Sequence, residues 1–402
     1  MLLYDTATRD VHGFEPAGDP ISLYVCGITP YDAAHLGHAF TYHVFDVITR
    51  RLHRAGRRVR SVRNITDVDD DILRTARRRG MDFRMLAAEQ VSRFDREMNA
   101  VGIMPPSSTP PATDHVAEMV RWIADLERLG FAYARDGWVY FEVTRFDRYG
   151  SLSRLSREQM IALSRDGGAD PDDPRKRDPL DFVLWQPSLE DEPRWPSPWG
   201  DGRPGWHIEC SVLATGQLGP TVDLHGGGDD LIYPHHESEI AQVEATGVHP
   251  FVRHWVHVAM VRLDGVKMSK SLGNLVFVGD LLRSTPGAVV RLMLGQHHYR
   301  SAWDYQAGEL PAAEARHRRY QDCVAGGGWF EAGQARLIER DFDDRLDDDL
   351  DTAGALAVID AAVGECSSAS RLRPAQSIAA EMLLPRLLAV LGVELPVVVA
   401  GS

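Results

Sequence analysis

The amino-acid sequence predicts an α/β protein built around a parallel sheet. Apolar residues alternate along residues 21–26, and apolar residues four positions apart follow in residues 44–52. A second apolar segment, residues 59–65, comes soon after Gly56. A strand, a helix and a strand within roughly fifty residues form the pattern of a parallel βαβ unit.

Each element of this unit has its own signal. Ile21, Leu23 and Val25 occupy every second position, which predicts a strand that buries one side. The helix has Val44 and its i+4 neighbours on one face, several arginines in its last turn and Gly56 as its stop. The run Val59 to Ile65 is predicted to be the next strand.

The remainder of the chain divides by composition. Helical patterns fill residues 81–163, apart from a short β segment near residues 138–143, and residues 167–203 are rich in Gly, Pro and Asp, which predicts an ordered loop region. We expect four segments: a first half of the core at 1–80, a helical and β insertion with its connecting loop at 81–204, a second half of the core at 205–280, and a C-terminal helical domain at 281–402.

Composition narrows the class of protein. The 402 residues carry a net charge of -14, which argues against a protein that binds nucleic acid mainly through phosphate contacts. Four widely spaced cysteines predict no disulfide framework and favour a reducing cytoplasm: Cys26, Cys210, Cys323 and Cys366. The first residues lack the apolar segment of a signal peptide, and no membrane association is expected.

The motif HLGH stands between the first strand and the helix, at residues 35–38. Ligands of parallel sheets bind beyond the carboxyl ends of strands, and a helix N-terminus attracts phosphate. His35 and His38 could donate hydrogen bonds to phosphate oxygens as charge develops, and Gly37 would let a ligand approach the backbone. For this motif alone, an ordinary loop with two histidines is the alternative interpretation.

A second motif, KMSKS, occupies residues 267–271. Lys267 and Lys270 are three residues apart in a loop of small residues, which suits a clamp on a pyrophosphate leaving group. Alone, a solvated surface turn would be the commoner interpretation. A βαβ unit that also carries HLGH favours the phosphate role.

These two motifs resemble the signature pair of class I aminoacyl-tRNA synthetases. Longer stretches resemble the cysteine-specific branch of that family: YVCGITPYD at 24–32, NITDVDD at 64–70, GWHIEC at 205–210, HGGGDDLIYPHHESE at 225–239 and KMSKSLGN at 267–274. The resemblance covers about residues 1–305. It implies a Rossmann-type (HUP) catalytic core that forms cysteinyl-adenylate from cysteine and ATP, with Mg²⁺ accompanying the ATP.

The resemblance also assigns a metal site to Cys26, Cys210, His235 and Glu239. Two thiolates and an imidazole suit zinc, and three protein ligands leave one position open. His235 and Glu239 are four residues apart, so they would share one face of a helix predicted to begin near Pro234. The implied single zinc would hold the substrate thiol and so reject serine. Whether Glu239 binds the metal or supports a ligand is left open.

Further site residues follow from the same motifs. The resemblance implies that the cysteine substrate contacts Cys26, Gly27, Thr29, Asn64, Thr66 and Trp206. It implies that ATP or the adenylate contacts Gly37, Thr41, Gly226, Gly227, Gly228, Asp229, Asp230, Val261, Met268, Ser269 and Ser271. Taken singly, a buried tryptophan is most often core, and three consecutive glycines are most often a turn.

Two subfamilies of this branch differ in the acceptor, which is either tRNA or, in mycothiol biosynthesis, the amine of glucosaminyl-inositol. The segments CGITPYDAAHLGHA and HHYRSAW resemble the mycothiol subfamily, and 131 residues after Ser271 are few for the tRNA subfamily. Residues 164–171 and Leu272 depart from the mycothiol pattern, which leaves tRNA or another amine as alternatives.

The partners expected are therefore ATP, L-cysteine and an amino-sugar acceptor, with the chain acting as a monomer. A catalytically silent relative is the alternative from another class. Such a protein would be expected to lose the signature residues, and all of them are present here.

Overall fold

The computed structural model describes residues 1–268, 272–366 and 376–395. The strands are β1 Leu2–Asp5, β2 Asp10–Gly13, β3 Ile21–Ile28, β4 Val59–Ile65, β5 Ala132–Arg135, β6 Trp138–Phe141, β7 Phe182–Pro187, β8 Gly202–Pro204, β9 Leu224–Gly228, β10 Trp255–Val258, β11 Val261–Leu263, β12 Val266–Lys267, β13 Trp303–Asp304, β14 Trp329–Glu331 and β15 Ser377–Ala379. The helices are α1 Leu36–Arg54, α2 Asp70–Arg79, α3 Phe83–Ala100, α4 Val116–Arg128, α5 Arg157–Asp166, α6 Trp206–Leu218, α7 Glu237–Glu244, α8 Val278–Leu281, α9 Gly287–Leu294, α10 Glu309–Ala325, α11 Ala332–Asp347, α12 Thr352–Glu365 and α13 Ala380–Val390.

A four-stranded parallel sheet forms the centre, in the order β10–β9–β3–β4. The predicted α/β class and the β3–α1–β4 unit are confirmed, and β4 has the bounds that the sequence indicated. Strand β3 is mostly apolar, so its apolar run was enough to locate it. Strand β4 was located from its three apolar residues, although Arg60, Ser61, Arg63 and Asn64 stand between them.

The two faces of the sheet carry different layers. Leu23 and Val25 of β3 join the core formed with α1, α9 and the C-terminal helices. Tyr24 and Cys26 point to the opposite face and pack among residues of α4, α6 and α7. This alternation directs the Cys26 thiol toward α6 and α7, which supply the other cysteine and the acidic residue of the predicted metal site.

The insertion contains more β structure than the sequence indicated. Strands β5, β6, β7 and β8 form an antiparallel sheet, so the prediction of a loop throughout residues 167–203 was wrong for β7. This strand buries Phe182, Leu184 and Trp185 against the second core. The Pro- and Asp-rich residues on both sides concealed its short apolar pattern.

The C-terminal helices pack on α1 and are tied to it by a buried ion pair. Arg291 of α9 is fully buried, pairs with Asp46 of α1, and donates from Nε to the Leu391 carbonyl at 2.7 Å. Asp46 also accepts from Arg50 at 2.7 Å. The back of α1 is thus anchored while its N-terminus faces the site. Among the described helices, none combines the length and apolarity needed to span a bilayer.

Candidate active site

A cavity of about 320 Å³ opens where β3, β9 and β10 end and α1 begins. This is the edge of a parallel sheet at which ligands bind. The predicted site residues that line it are Cys26, Gly27, Thr29, His35, Gly37, His38, Thr41, Trp206, Gly228, Asp230, Val261, Lys267 and Met268. Tyr31 and Tyr42, which the sequence did not single out, line it too.

The remaining predicted residues lie elsewhere. Gly226 and Gly227 sit one layer back: a Cβ on Gly226 would stand 1.7 Å from the Val256 carbonyl oxygen, and one on Gly227 would meet Leu231 at 2.7 Å. These two glycines therefore have a packing reason of their own. Asp229 faces a different cavity. Ser269, Lys270 and Ser271 lie outside the described residues.

Asn64 and Thr66 are buried behind the cavity and position its wall. The Asn64 side chain accepts from the Gly27 amide at 2.7 Å and donates to Thr66 Oγ1 at 3.0 Å. A Cβ on Gly27 would stand 1.6 Å from the Asn64 carbonyl oxygen, so a larger residue cannot occupy this place. The contacts of Asn64 and Thr66 with cysteine stay a prediction.

Four elements bring the predicted metal ligands together. Cys26 comes from β3, Cys210 from α6, His235 from the turn before α7, and Glu239 from α7. Their ligand atoms all lie within 4.8 Å of one another, and the two sulfur atoms are 3.9 Å apart. All four side chains are buried, and the Cys26 end of the cluster opens into the cavity.

The local structure around His235 agrees with a helical start near Pro234. Tyr233 has extended backbone angles, a π-helical turn that ends at His236 follows, and the regular helix α7 continues from Glu237. His235 and Glu239 still meet, with His235 Nε2 3.0 Å from Glu239 Oε1. His235 and Glu239 therefore keep the i, i+4 contact of a helix, although the turn that contains His235 is irregular.

Glu239 divides its two oxygens between two neighbours. Oε2 accepts a hydrogen bond from His225 Nε2 at 2.8 Å, while Oε1 faces His235 and lies 3.7 Å from Cys26 Sγ. His225 thus fixes the carboxylate so that its other oxygen points at the cluster.

A layer of histidines beneath the cluster was missed by sequence reasoning. His236 Nε2 lies 3.2 Å from Cys26 Sγ, and its Nδ1 lies 2.7 Å from His257 Nε2. His257 in turn is hydrogen-bonded to Thr6 Oγ1 at 2.7 Å. A signal was present, since His225 and His236 fall inside the quoted motif of residues 225–239. Only the pairing of β9 with β10 shows that these rings stack under the thiols.

The ionisable groups of the cluster hold a proton on His235, which would have to leave before that ring could bind a metal ion. Burial raises the pKa of Cys210, but the hydrogen bond from Cys26 and the His235 cation outweigh it and lower that pKa to about 6. Burial opposes the charge on His235 as well, yet Cys210 and Glu239 raise its pKa to about 10. Burial and the neighbouring Cys210 hold the pKa of Cys26 well above its usual range. An anionic pocket thus surrounds a positive charge.

The donor set fits a divalent metal ion of borderline softness. Two sulfurs, an imidazole nitrogen and a carboxylate oxygen are the ligands that zinc prefers, and they converge from rigid elements. Trp206 stacks on His235 with ring centroids 4.2 Å apart, and His207 Nδ1 lies 2.9 Å from His235 Nδ1. These two side chains fix the plane of the His235 ring.

The opposite end of the cavity is formed by the start of α1. His35 is the N-cap residue, and its ring stacks on His38 with centroids 3.8 Å apart. The first turn of α1 contains no acidic residue, so the positive end of the helix dipole is not neutralised there. Two imidazoles at a helix N-terminus make this end suitable for phosphate.

Lys267 closes the cavity from β12. Its ammonium group lies 3.1 Å from Asp230 Oδ2, and both side chains are about half exposed. Lys267 is therefore held near the site by an ion pair that is accessible to solvent. An exposed ion pair of this kind contributes little free energy, so an incoming phosphate can replace Asp230 as the partner of Lys267.

Comparisons with known proteins agree with this geometry. Residues 14–315 match the family described as "tRNA synthetases class I (C) catalytic domain". The chain belongs to this family. The chain is 44% identical over 362 residues to an L-cysteine:1D-myo-inositol 2-amino-2-deoxy-alpha-D-glucopyranoside ligase of Streptosporangium roseum, covering 90% of this chain and 88% of that protein.

Two further relatives show the breadth of the family. A ligase of the same name from Frankia alni is 47% identical, with 84% of this chain and 82% of that protein covered. A cysteine–tRNA ligase of Geobacter sulfurreducens is 44% identical, with 84% and 73% covered. Among solved structures, methionyl-tRNA synthetase of Mycobacterium tuberculosis shares the fold at 16% identity, with a TM-score of 0.66 over 87% of this chain and 82% of that one.

Proposed function

We propose that the protein activates L-cysteine with ATP and transfers the cysteinyl group to the amine of glucosaminyl-inositol. One observation carries the first half of this proposal. The buried Cys26, Cys210, His235 and Glu239 cluster opens into the same cavity as the phosphate-suited start of α1. A sulfur-binding end and a phosphate-binding end in one cavity match a substrate that has a thiol and a carboxylate to be adenylated.

The residues of the metal cluster would hold zinc. Held by Cys26, Cys210 and His235, with Glu239 as a supporting carboxylate, a bound zinc ion would keep a position open for a thiolate, which selects sulfur over the hydroxyl group of serine. The chain's own contribution is to fix the donors before substrate arrives. His225 orients Glu239, and Trp206 and His207 orient His235.

Adenylation requires positioning more than acid–base chemistry. The cysteine carboxylate is already a nucleophile, so it attacks the α-phosphorus of Mg·ATP in line, and the bond to the pyrophosphate oxygen breaks. His35 and His38 would donate to the phosphate oxygens from the helix N-terminus. Lys267 would leave Asp230 for the departing pyrophosphate, and Asp230 would turn to the ribose hydroxyl groups.

The presence of lysine rather than arginine at positions 267 and 270 supports a role in binding the pyrophosphate leaving group. Only three of the 44 Lys and Arg residues in the chain are lysine, at positions 176, 267 and 270. In a protein that otherwise uses arginine as its cation, two lysines in one five-residue motif indicate a need for a compact, mobile point charge. A pyrophosphate leaving group sets such a need.

The acceptor is supported by likeness and by charge. Several relatives at 44–47% identity carry the amino-sugar ligase name. The end of α11 and the turn after it expose Asp341, Asp344 and Asp348 beside Arg340 and Arg345, and this small excess of carboxylates is a poor surface for nucleic-acid phosphates. The acceptor amine, once neutral, would attack the activated carbonyl carbon, an amide bond would form, and AMP would leave.

Cysteine–tRNA ligase is the second candidate function. The Geobacter sulfurreducens relative with that name reaches the same 44% identity as the amino-sugar ligase of Streptosporangium roseum. Overall identity therefore does not separate the two acceptors, and only an acceptor assay does.

The deciding experiment supplies both acceptors in parallel. The full chain, zinc, Mg·ATP and cysteine are incubated with glucosaminyl-inositol or with tRNA specific for cysteine, and AMP and products are followed by mass spectrometry. We expect AMP and a cysteinyl amide only with the amino sugar. A matched reaction with serine in place of cysteine is the control for selection by sulfur.

Other outcomes separate the two halves of the proposal. Charged tRNA without the amide would establish the second candidate. Pyrophosphate exchange that depends on cysteine, with neither acceptor consumed, would keep the activation step and refute the acceptor. Absence of exchange with cysteine would refute the activation step itself.

A further inference from the structure

A second cluster of metal-binding side chains lies away from the cavity, between the N-terminal hairpin and the central sheet. Asp5 ends β1, His12 lies in β2, and His254 directly precedes β10. Their ligand atoms lie within 4.8 Å of one another. Asp5 is 3% exposed and His254 is 2% exposed, whereas the His12 side chain is 39% exposed, so the cluster is buried against the sheet and reaches the surface through His12.

The hydrogen bonding of His12 leaves one nitrogen free to accept. Its Nδ1 lies 3.1 Å from the Gly13 carbonyl oxygen, which can only accept, so Nδ1 carries the proton in that pair. In a neutral ring the lone pair is then on Nε2, which is a buried atom. This Nε2 faces Asp5 Oδ2 at 3.5 Å, which is too far for a hydrogen bond.

His254 supplies a second free nitrogen. Within the described residues, neither His254 Nε2 nor His12 Nε2 has a hydrogen-bond partner, although both atoms are buried. The two rings lie 4.9 Å apart, centroid to centroid. A buried polar atom without a partner costs free energy, so two of them beside a carboxylate require an explanation.

Asp5 is oriented as a metal-binding carboxylate would be. Its Oδ1 accepts from the amides of Ala7 and Trp255, each at 3.0 Å, which leaves Oδ2 directed at the histidines. Backbone donors on one oxygen and a free second oxygen are a common arrangement around a ligating carboxylate. The Trp255 amide also ties this carboxylate to β10.

We propose that Asp5, His12 and His254 form a second site for a divalent cation of the zinc class, which fastens the β1–β2 hairpin to β10. Two imidazoles and one carboxylate favour Zn²⁺ or a similar transition-metal ion over Mg²⁺ or Ca²⁺, which take oxygen ligands. Ligand atoms about 2.0–2.2 Å from tetrahedral zinc lie roughly 3.3 Å apart, close to the 3.5 Å between His12 and Asp5.

The fold gives this site a structural task. The hairpin contacts the C-terminal region as well as the sheet, because the Tyr4 amide donates to Asp349 Oδ1 at 2.9 Å. A cation at the base of the hairpin would therefore stabilise the strand that joins the two parts of the molecule. The site is chemically distinct from the active-site cluster, since it contains no sulfur.

The test uses the full chain stripped of metal and then loaded with Co²⁺ or Zn²⁺. Metal content is measured after gel filtration, and Co²⁺ spectra distinguish thiolate ligands by their charge-transfer band from nitrogen and oxygen ligands. The variants are His12→Ala, on the partly exposed hairpin, and Cys210→Ser. His53→Ala, an exposed histidine outside both clusters, is the matched control.

We expect about two equivalents of metal in the wild type and in His53→Ala, and about one in His12→Ala with the thiolate band intact. In Cys210→Ser the second equivalent should persist without a thiolate band. A wild type that binds about one equivalent, or a His12→Ala variant that retains the wild-type content, would overturn the proposal. In either case His12 is a protonated partner of Asp5. Neither result bears on the active-site cluster.

Discussion

The two ends of the active-site cavity are built in opposite ways. At the sulfur end, side chains from β3, α6 and α7 are buried, and each is held by a further hydrogen bond or ring contact. At the phosphate end, Lys267 and Asp230 are about half exposed and form an ion pair with each other. The first end is fixed by contacts within the protein, whereas the second has contacts that a phosphate can replace.

Because the two ends differ in this way, we expect one to determine which amino acid is selected and the other to determine the rate of adenylate formation. A rigid, buried set of donors discriminates between ligands because it cannot adapt to the wrong one. A solvent-exposed lysine contributes little before reaction and most when charge develops on the leaving group. Substitutions at the sulfur end should therefore change which amino acid is used. Substitutions at the phosphate end should change how fast it is used.

The largest expected effect is the loss of selection in Cys210→Ser. A hydroxyl group is a poor zinc ligand, so zinc content should fall and the preference for cysteine over serine should drop from roughly 10⁴-fold to 10²-fold or less. The measurement is pyrophosphate exchange with each amino acid, together with metal analysis. Cys323→Ser, which changes a cysteine in the C-terminal helices, is the control. Full zinc content in Cys210→Ser would refute the ligand role.

The next effect is at the phosphate end. Lys267→Ala should slow adenylate formation by about 10²- to 10³-fold, because the leaving group loses a cation in the transition state. The dissociation constant for cysteine, measured by calorimetry, should change less than about twofold, since the sulfur end is untouched. Lys176→Ala is the matched control from the insertion. Weaker cysteine binding in Lys267→Ala would contradict the proposed division of roles.

A smaller effect tests whether the histidine layer supports the cluster. His225→Gln weakens the hydrogen bond that orients Glu239, so zinc affinity should fall by about 10- to 100-fold while selection is retained at saturating zinc. Competition with a chelator gives the affinity, and His53→Gln is the control. An unchanged affinity with an unchanged melting temperature would mean that Glu239 needs no such support.

The sequence predicted the residues of the metal cluster but not the side chains that support them, and the reason is physical. The apolar residues of β3 and β4 recur closely enough to locate both strands, even with polar residues between those of β4, and the cluster residues lay in long, specific motifs. The hydrogen bonds from His225, His236 and His257 depend on how β9 and β10 pair, which no local pattern encodes. The close packing of Gly226 and Gly227 against Val256 and Leu231 is likewise a tertiary fact, and their contact with the nucleotide stays a prediction.

The smallest effect concerns Trp206, which lies at the boundary between the two ends. Its ring stacks on His235, as a member of the buried sulfur end would. Its side chain is also 40% exposed, which is more typical of the accessible phosphate end. An aromatic stacking contact is worth about 0.5–1.5 kcal/mol. Because Trp206 also lines the cavity, loss of a contact of this size with the substrate in Trp206→Leu should raise the KM for cysteine about 3- to 10-fold, with kcat close to wild type.

Steady-state exchange at varied cysteine concentration separates the possibilities for Trp206. Trp199→Leu, a tryptophan of the insertion, is the control for a general loss of stability. If Trp206→Leu also loses zinc, the ring is part of the support for His235, and the rigid end extends to the cavity mouth. If kcat falls while KM is unchanged, the Trp206 ring acts on the adenylation step. Trp206 would then belong functionally to the phosphate end, although it contacts His235.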